Sequence, residues 1–476
     1  MFDVIVLGGG PAGVAAALRA RELDATVALV ERDRLGGVCT NDGCVPTRVL
    51  AKAARLVRDT EQFGHYGLSG ARPAVDFRRL LDKATATVER VHQMKDLPER
   101  LQRAGVHLVA GTGAARFAGA HTIALGDGHG ELRAEQVVVC VGGHARRLPF
   151  PGSELAITHS DIWTLDALPA SVVVVGGSAT GCQLASVLDA FGSQVTLLEA
   201  ADRLLGVEDE ALSAAVADAF RRRGIEVVTG VGPLERLERT GGGGLRLHHE
   251  QRGETRVRDA EAVLLAVGWV GNLDGLGLDA AGVRTEGGYI AVDDRLRSSA
   301  PNVWAAGDVS GHMMLVQTAE AEARVAAENA LAGRPAGLGD GVVREQWPLR
   351  VVPHGGFTDP EYGSVGLAEA AARTEPGGCV VATVPYADLE RAVIDRHGEG
   401  FAKLVVSRST RRILGAHVVG EQAVEVVQLA AASMAAEQPV EQLAGLELAY
   451  PTFTAIVGLA AREAVRQLDA AYATPR

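Results

Sequence analysis

Cysteine is scarce in this chain: five thiols in 476 residues are too few for a disulfide framework. An excess of positive charge is also missing. Lys and Arg number 47 against 59 Asp and Glu, and the formal net charge of −12 repels nucleic acid. No apolar run reaches the ~20 residues needed to span a bilayer. The sequence opens MFDVIVLGGG, with no basic leader and apolar core before its first strand-like run, so a cytoplasmic location is expected, without membrane or nucleic-acid partners. In a reducing compartment a close pair of cysteines reads as catalytic or metal-binding rather than structural.

At about 150 residues per domain, the length suits three domains. An apolar strand, Val4 to Leu7, runs into Gly8-Gly9-Gly10-Pro11-Ala12-Gly13 and then an Ala-rich amphipathic stretch. A second strand, Thr26 to Val30, ends in Glu31. This is a βαβ unit with G-x-G-x-x-G spacing. Its glycines permit a tight turn and close phosphate approach, its helix N-terminus suits a pyrophosphate, and its acid suits a ribose hydroxyl.

The pattern recurs. Val172 to Val175 lead into Gly176-Gly177-Ser178-Ala179-Thr180-Gly181, and Gln194 to Leu198 end in Glu199. Each acid follows its first glycine by 23 residues (31 − 8 and 199 − 176). Two dinucleotide folds, hence two nucleotides, are expected. Ser178 replaces the middle glycine and weakens the second fingerprint. Beyond about residue 340 strand-like runs such as Phe401 to Ser407 and Arg412 to Val419 precede two Ala-rich helical segments. Gly241 to Gly244 reads as a hairpin tip, and Leu331 to Gly341 as an interdomain connection.

The segment GGVCTNDGCVPTR, Gly36 to Arg48, holds two cysteines five positions apart. Zinc requires about four ligands, and the nearest histidine is His65, some twenty residues on. The polar, glycine-rich surroundings are a poor place to hide core thiols. A disulfide remains. On a regular helix, positions five apart lie ~7.5 Å apart along the axis and on different faces, so the segment must be irregular between the cysteines. Asp42-Gly43 supplies a break, Pro46 suits the first turn of a helix from Thr47 to Val57, and Cys44 near that start gains from the helix dipole. Cys140, Cys182 and Cys379 read as small buried hydrophobes.

These motifs together resemble the FAD-dependent pyridine nucleotide-disulfide oxidoreductases of class I, the group of dihydrolipoamide dehydrogenase, glutathione reductase and mercuric reductase. CVGGHARRLPFPG at Cys140 to Gly152 resembles the family's A-T-G linker, and VWAAGDV at Val303 to Val309 its second FAD motif. FTDPEYGSVGL and ILGAHVVG resemble its dimerisation domain. The resemblance implies an α/β chain with two Rossmann-like domains and a C-terminal α+β dimerisation domain. FAD would take residues 1–150 and 272–335, NAD(P) residues 151–271, and the dimer interface residues 341–476.

It also implies roles. Cys39 would be the interchange thiol and Cys44 the charge-transfer thiol against the flavin. Gly8, Gly10, Gly13, Glu31, Gly142 and Asp308 would bind FAD, with Glu31 on the adenosine ribose and Asp308 on the ribityl chain. Gly176, Ser178, Gly181 and Glu199 would bind the nicotinamide nucleotide. A carboxylate at Glu199 favours NADH over NADPH, since it hydrogen-bonds a 2′-hydroxyl and repels a 2′-phosphate.

The chain departs from the family at three places. In the C-terminal H-P-x-x-x-E motif, Tyr450 replaces the histidine base and Ala455 the glutamate. A phenol stays protonated near neutral pH, so Tyr450 can donate a hydrogen bond but is a poor base, and loss of a positioned base costs ~10² to 10⁴ in rate. Arg48 and Gln183 replace a Lys–Glu pair beside the flavin, which keeps hydrogen-bonding capacity but alters the field. No cysteine follows Cys379, so the C-terminal cysteine pair of mercuric reductase is missing.

The expected function is therefore an NADH-dependent flavoenzyme passing electrons through Cys39-Cys44 to a small disulfide, or running backwards as a dithiol oxidase. It would act as a homodimer, with Tyr450 contributed by the partner subunit and the Tyr450-Pro451 bond cis. The alternatives are a quinone, metal or oxidant reductase using FADH2 directly, and a nucleotide-sensing FAD protein without catalysis.

Overall fold

The computed structural model describes residues 1–332 and 351–473. Contacts divide them into two units, residues 1–49, 81–146 and 269–332 in one and residues 50–80, 147–268 and 351–473 in the other.

The first unit is built on a seven-stranded sheet. Its parallel part runs His107–Ala110, Val27–Glu31, Phe2–Leu7, Glu131–Val139, with Val303–Ala305 also parallel on Glu131–Val139. Thr122–Ala124 and Arg116–Gly119 extend it antiparallel. Strands covered on both faces need continuous apolar runs. Val4, Ile5 and Val6 are accordingly fully buried, and Val4 and Val6 join one core while Ile5 and Leu7 join the other. Helix Pro11–Glu22 lies against helix Val316–Ala330, where Ala16, Ala17 and Ala20 share a core with Ala319, Ala323, Ala326 and Ala327. Small side chains on both helices allow the close approach.

In the second unit a parallel sheet runs Glu226–Val228, Gln194–Leu198, Ser171–Val175, Ala262–Leu265. The antiparallel strands Val231–Arg239, Leu245–Gln251 and Glu254–Ala260 form a separate sheet. Its first hairpin has the expected glycine tip, closed by Thr240 N–H donating to Gly244 O at 2.8 Å. A five-stranded antiparallel sheet, His354–Gly356, Glu361–Gly366, Ile413–Gly420, Phe401–Ser407, Cys379–Pro385, packs on helices Ala423–Ala435 and Ala455–Ala473. Two dinucleotide-type α/β sheets and a C-terminal α+β layer are thus the α/β architecture expected from the sequence.

Two details differ from expectation. The helix after the cysteine pair spans Cys44–Asp59 rather than beginning at Thr47, so Pro46 sits inside its first turn, where a missing N–H goes unused. Cys379 is half-buried, because it opens an edge strand. The proposed connection falls, from residue 333 on, outside the described residues.

Candidate active site

In the first unit, strand Phe2–Leu7 turns sharply at Gly8, whose φ of 100° favours glycine and where a Cβ would lie 2.4 Å from Cys140 O. A Cβ on Gly13 would lie 1.8 Å from Gly8 O, so only glycine lets helix Pro11–Glu22 start this close to the strand. Gly10 at the N-cap offers no side chain, and the first turn's N–H groups face outward from the helix end without a side-chain cap. Such an end suits an anion. Glu31 closes the turn, accepting from Gly9 N–H at 2.6 Å and Asp33 N–H at 2.8 Å.

The second unit repeats this construction. Gly176 has φ 105°, a Cβ on Gly181 would lie 1.8 Å from Gly176 O, and Glu199 accepts from Gly177 N–H at 2.5 Å and Ala201 N–H at 2.7 Å. Ser178 has φ −79° and ψ −174°, against −74° and −174° at Gly10. The serine therefore leaves the turn unchanged. Its side chain makes no cap hydrogen bond, although serine is a favoured capping residue, so this helix end too is open to an anion. Both turns fit a dinucleotide pyrophosphate with a ribose near the acid.

The cysteine segment packs directly on the first turn. Gly36 N–H donates to Gly9 O at 2.8 Å, and a Cβ on Gly37 would meet Gly10 Cα at 2.9 Å. Gly36 and Gly37 both have positive φ, of 98° and 60°. A short helix, Gly37–Asn41, carries Cys39, and after the expected break at Asp42-Gly43 the helix Cys44–Asp59 begins on Cys44. Cys39 is half-buried and Cys44 exposed. The two side chains interact as hydrogen-bond partners. That hydrogen bond, followed by burial, pushes Cys39 up, and the same bond lowers Cys44 to about 7. Cys44 is also lowered by its own backbone N–H and by Lys95, against burial and Asp308.

Asp308 opens a turn after strand Val303–Ala305, and its β-carbon lies 3.5 Å from the Cβ position of Gly143, next to Gly142 with φ 70°. Burial, then the charge of Glu322, raises Asp308. Glu322 belongs to none of the sequence motifs. It is 1% exposed on helix Val316–Ala330 and accepts from Gly307 N–H at 2.7 Å, while His312 Nδ1 lies 3.0 Å away. It thereby anchors the loop that presents Asp308. Helical periodicity alone marks an Ala-rich helix here; the signal that could have found it is a lone acid on that helix's apolar face.

The remaining candidates are distributed between the units. Arg48 lies in the first unit, on the helix begun by Cys44. Gln183 lies in the second, where its amide donates to Ala179 O at 3.0 Å and accepts from Phe357 N–H at 3.2 Å. Tyr450, also in the second unit, is 74% exposed, and its bond to Pro451 is cis as expected. Among the described residues, no group of three or more His, Cys, Asp or Glu is arranged to hold a metal ion, and no helix is long and apolar enough to cross a membrane.

Residues 2–323 match the family described as pyridine nucleotide-disulphide oxidoreductase, and residues 352–461 match its dimerisation domain. Dihydrolipoyl dehydrogenase of Zymomonas mobilis is 32% identical over 441 residues, 90% of each chain. The enzyme of the same name from Pseudomonas aeruginosa is 32% identical over 473 residues, 97% of each. Among solved structures, LpdA from Mycobacterium tuberculosis superposes with a TM-score of 0.85 at 26% identity, covering 97% of this chain and 99% of that one. The HOCl-induced flavoprotein disulfide reductase RclA from Escherichia coli does so with a TM-score of 0.82 at 25% identity over the same shares. With both turns and the paired thiols in place, the chain belongs to the pyridine nucleotide-disulphide oxidoreductase family, FAD-dependent enzymes that draw on NAD(P)H.

Proposed function

We propose that this enzyme passes electrons from NADH through FAD to the Cys39-Cys44 pair and on to a small disulfide, or in reverse from a small dithiol. The observation that carries this reading is the placement of the pair: Cys39 lies on the short helix Gly37–Asn41 packed on the first dinucleotide turn, and Cys44 opens the helix Cys44–Asp59. FAD when bound would accept an electron pair from reduced nicotinamide and deliver it to a disulfide. We assign it to residues 1–150 and 272–335, held by Gly8, Gly10, Gly13, Glu31, Gly142 and Asp308. NAD(H) goes to residues 151–271, held by Gly176, Ser178, Gly181 and Glu199, and the homodimer interface to residues 341–476.

The protein's own groups then do the following. Cys39, once its proton has left, attacks one sulfur of the substrate disulfide, forming a mixed disulfide and releasing one thiol. Cys44 thiolate attacks Cys39 sulfur, releases the second thiol and closes Cys39-Cys44. Two electrons from NADH reopen that bond, and one proton is taken up for balance. Tyr450 of the partner subunit hydrogen-bonds the substrate or the Cys39 sulfur, but a phenol is a poor base at neutral pH. Proton removal from Cys39 therefore falls to solvent or to the leaving thiolate. Arg48 and Gln183 set the field near the flavin without an exchangeable charge pair.

The test is an anaerobic NADH titration with a long-wavelength thiolate-to-flavin absorbance as readout, alongside Cys39→Ser. Appearance of the band and loss of disulfide turnover by at least ~10³ in the variant are expected. Normal turnover in Cys39→Ser, with quinones or metal ions outperforming disulfides, would instead identify direct transfer from FADH2.

A further inference from the structure

Thr40 sits between the two redox cysteines in sequence and is fully buried. Its hydroxyl accepts a hydrogen bond at 3.0 Å from Lys95 Nζ, and Lys95 is the last residue of helix Phe77–Lys95, 55 positions along the chain. A lysine in the last turn of a helix ordinarily offsets the helix dipole from solvent. Here the ammonium reaches instead to a buried hydroxyl beside the thiols.

The segment it reaches is held on several sides. Asn41 Nδ2 donates to Leu35 O at 3.3 Å, and its side-chain oxygen lies 2.7 Å from His92 Nε2, one turn before Lys95. The Cys39 side chain lowers Cys44, burial raises it, its own backbone N–H lowers it, and the charges of Asp308 and Lys95 act on it with opposite signs. Of these two charged side chains, Asp308 opposes a thiolate and Lys95 favours it. On its own side Lys95 is neighboured by His92, which burial and then Arg34 lower, and which in turn lies near Glu89.

We propose that Lys95 is a positioning residue for the redox pair: tethered to Thr40, its ammonium holds the Gly37–Asn41 turn in place and stabilises the thiolate form of Cys44 against the nearby Asp308 carboxylate. The inference rests on the reading of Cys39 and Cys44 as the electron-carrying pair. An ammonium suits the task, since it supplies charge and hydrogen-bond donors. Because Lys95 is exposed, solvent and salt attenuate its effect.

The experiment follows the long-wavelength thiolate-to-flavin absorbance of Cys44 across pH in the holoenzyme reduced by added dithiol. Lys95→Met is expected to raise the pH midpoint by about half a unit to one unit, while Lys95→Arg keeps it near the parent value. The difference should shrink in ~1 M salt. Thr40→Ser, which retains the tethering oxygen, should behave as the parent. Coincident midpoints for Lys95→Met and the parent at low salt would overturn the proposal. Failure of NADH to raise the band in the parent, where added dithiol raises it, would sink the electron-path reading instead and leave the pH comparison intact.

Discussion

At the scale of single residues, the two glycine turns separate positions that need the absence of a Cβ from those that only tolerate it. A Cβ on Gly13 would overlap the backbone oxygen of Gly8 at 1.8 Å, whereas one on Gly10 would find Gly37 Cα at 3.6 Å, an ordinary contact. Gly13→Ala should therefore cost about 3 kcal/mol or more, by forcing helix and strand apart, and Gly10→Ala should stay within about 0.5 kcal/mol of the parent. Denaturant midpoints of the two purified variants decide this. Equal loss in both would show that the close strand-to-helix approach is not what the third glycine secures. Ser178 already occupies the position equivalent to Gly10 with unchanged backbone angles, which is why a substitution that weakened the motif on paper leaves the turn intact.

At the scale of the element, each βαβ unit fixes its own acid. Glu199 accepts from Gly177 and Ala201 N–H groups, so the carboxylate is oriented by the turn that would carry the pyrophosphate. Glu199→Gln keeps an oxygen for one of these bonds and removes the charge that would repel a 2′-phosphate. The ratio of kcat/KM for NADH over NADPH should fall about tenfold, equivalent to ~1.4 kcal/mol. An unchanged ratio in steady-state assays would mean that nucleotide choice lies elsewhere. The cysteine element teaches a different lesson. Its break at Asp42-Gly43 is legible because glycine and aspartate interrupt helices, but the following helix begins at Cys44, three residues before Thr47. Pro46 can sit anywhere in a first turn, so it marks the region of a helix start and not the residue.

At the scale of the whole molecule, the second unit ties residues distant in sequence through buried charge. Lys403, 4% exposed, donates to Asp209, 1% exposed, at 2.9 and 3.0 Å, and His354 meets Glu208 at 3.0 Å. Against the cost of burial, these partners lower both Glu208 and Asp209 below the ordinary carboxylate range. Groups depressed on folding contribute stability that is fully present above their unfolded values, near pH 4, and is lost as pH falls through the folded values. His354 has the opposite sign. Against burial, Glu208 raises it, so its contribution is complete below about pH 6.5 and fades as pH rises through the raised value. Lys403→Met should cost about 3 kcal/mol at neutral pH by leaving Asp209 without its cation, and should flatten the acid limb of stability against pH. Denaturation midpoints measured from acid to neutral pH check both parts, and an acid limb as steep as the parent's would contradict the assignment to Asp209.

What the sequence by itself determined was whatever is encoded within some thirty consecutive residues: two strand–turn–helix–strand units with their acids, the paired cysteines with a break between them, and the glycine-tipped hairpin. In these the chemistry follows from spacing along one chain segment, because turn geometry and helix starts depend on near neighbours. Only the tertiary structure decided that Lys95 reaches Thr40, that Glu322 is buried under the Asp308 turn, and that Asp209 is paired with Lys403. Each of these joins residues on separate elements, the last two through a carboxylate almost wholly removed from water. A charged residue in an Ala-rich helix or at a strand end looks solvated in sequence. It becomes informative only when folding withdraws it from solvent or aims it at a group it must complement.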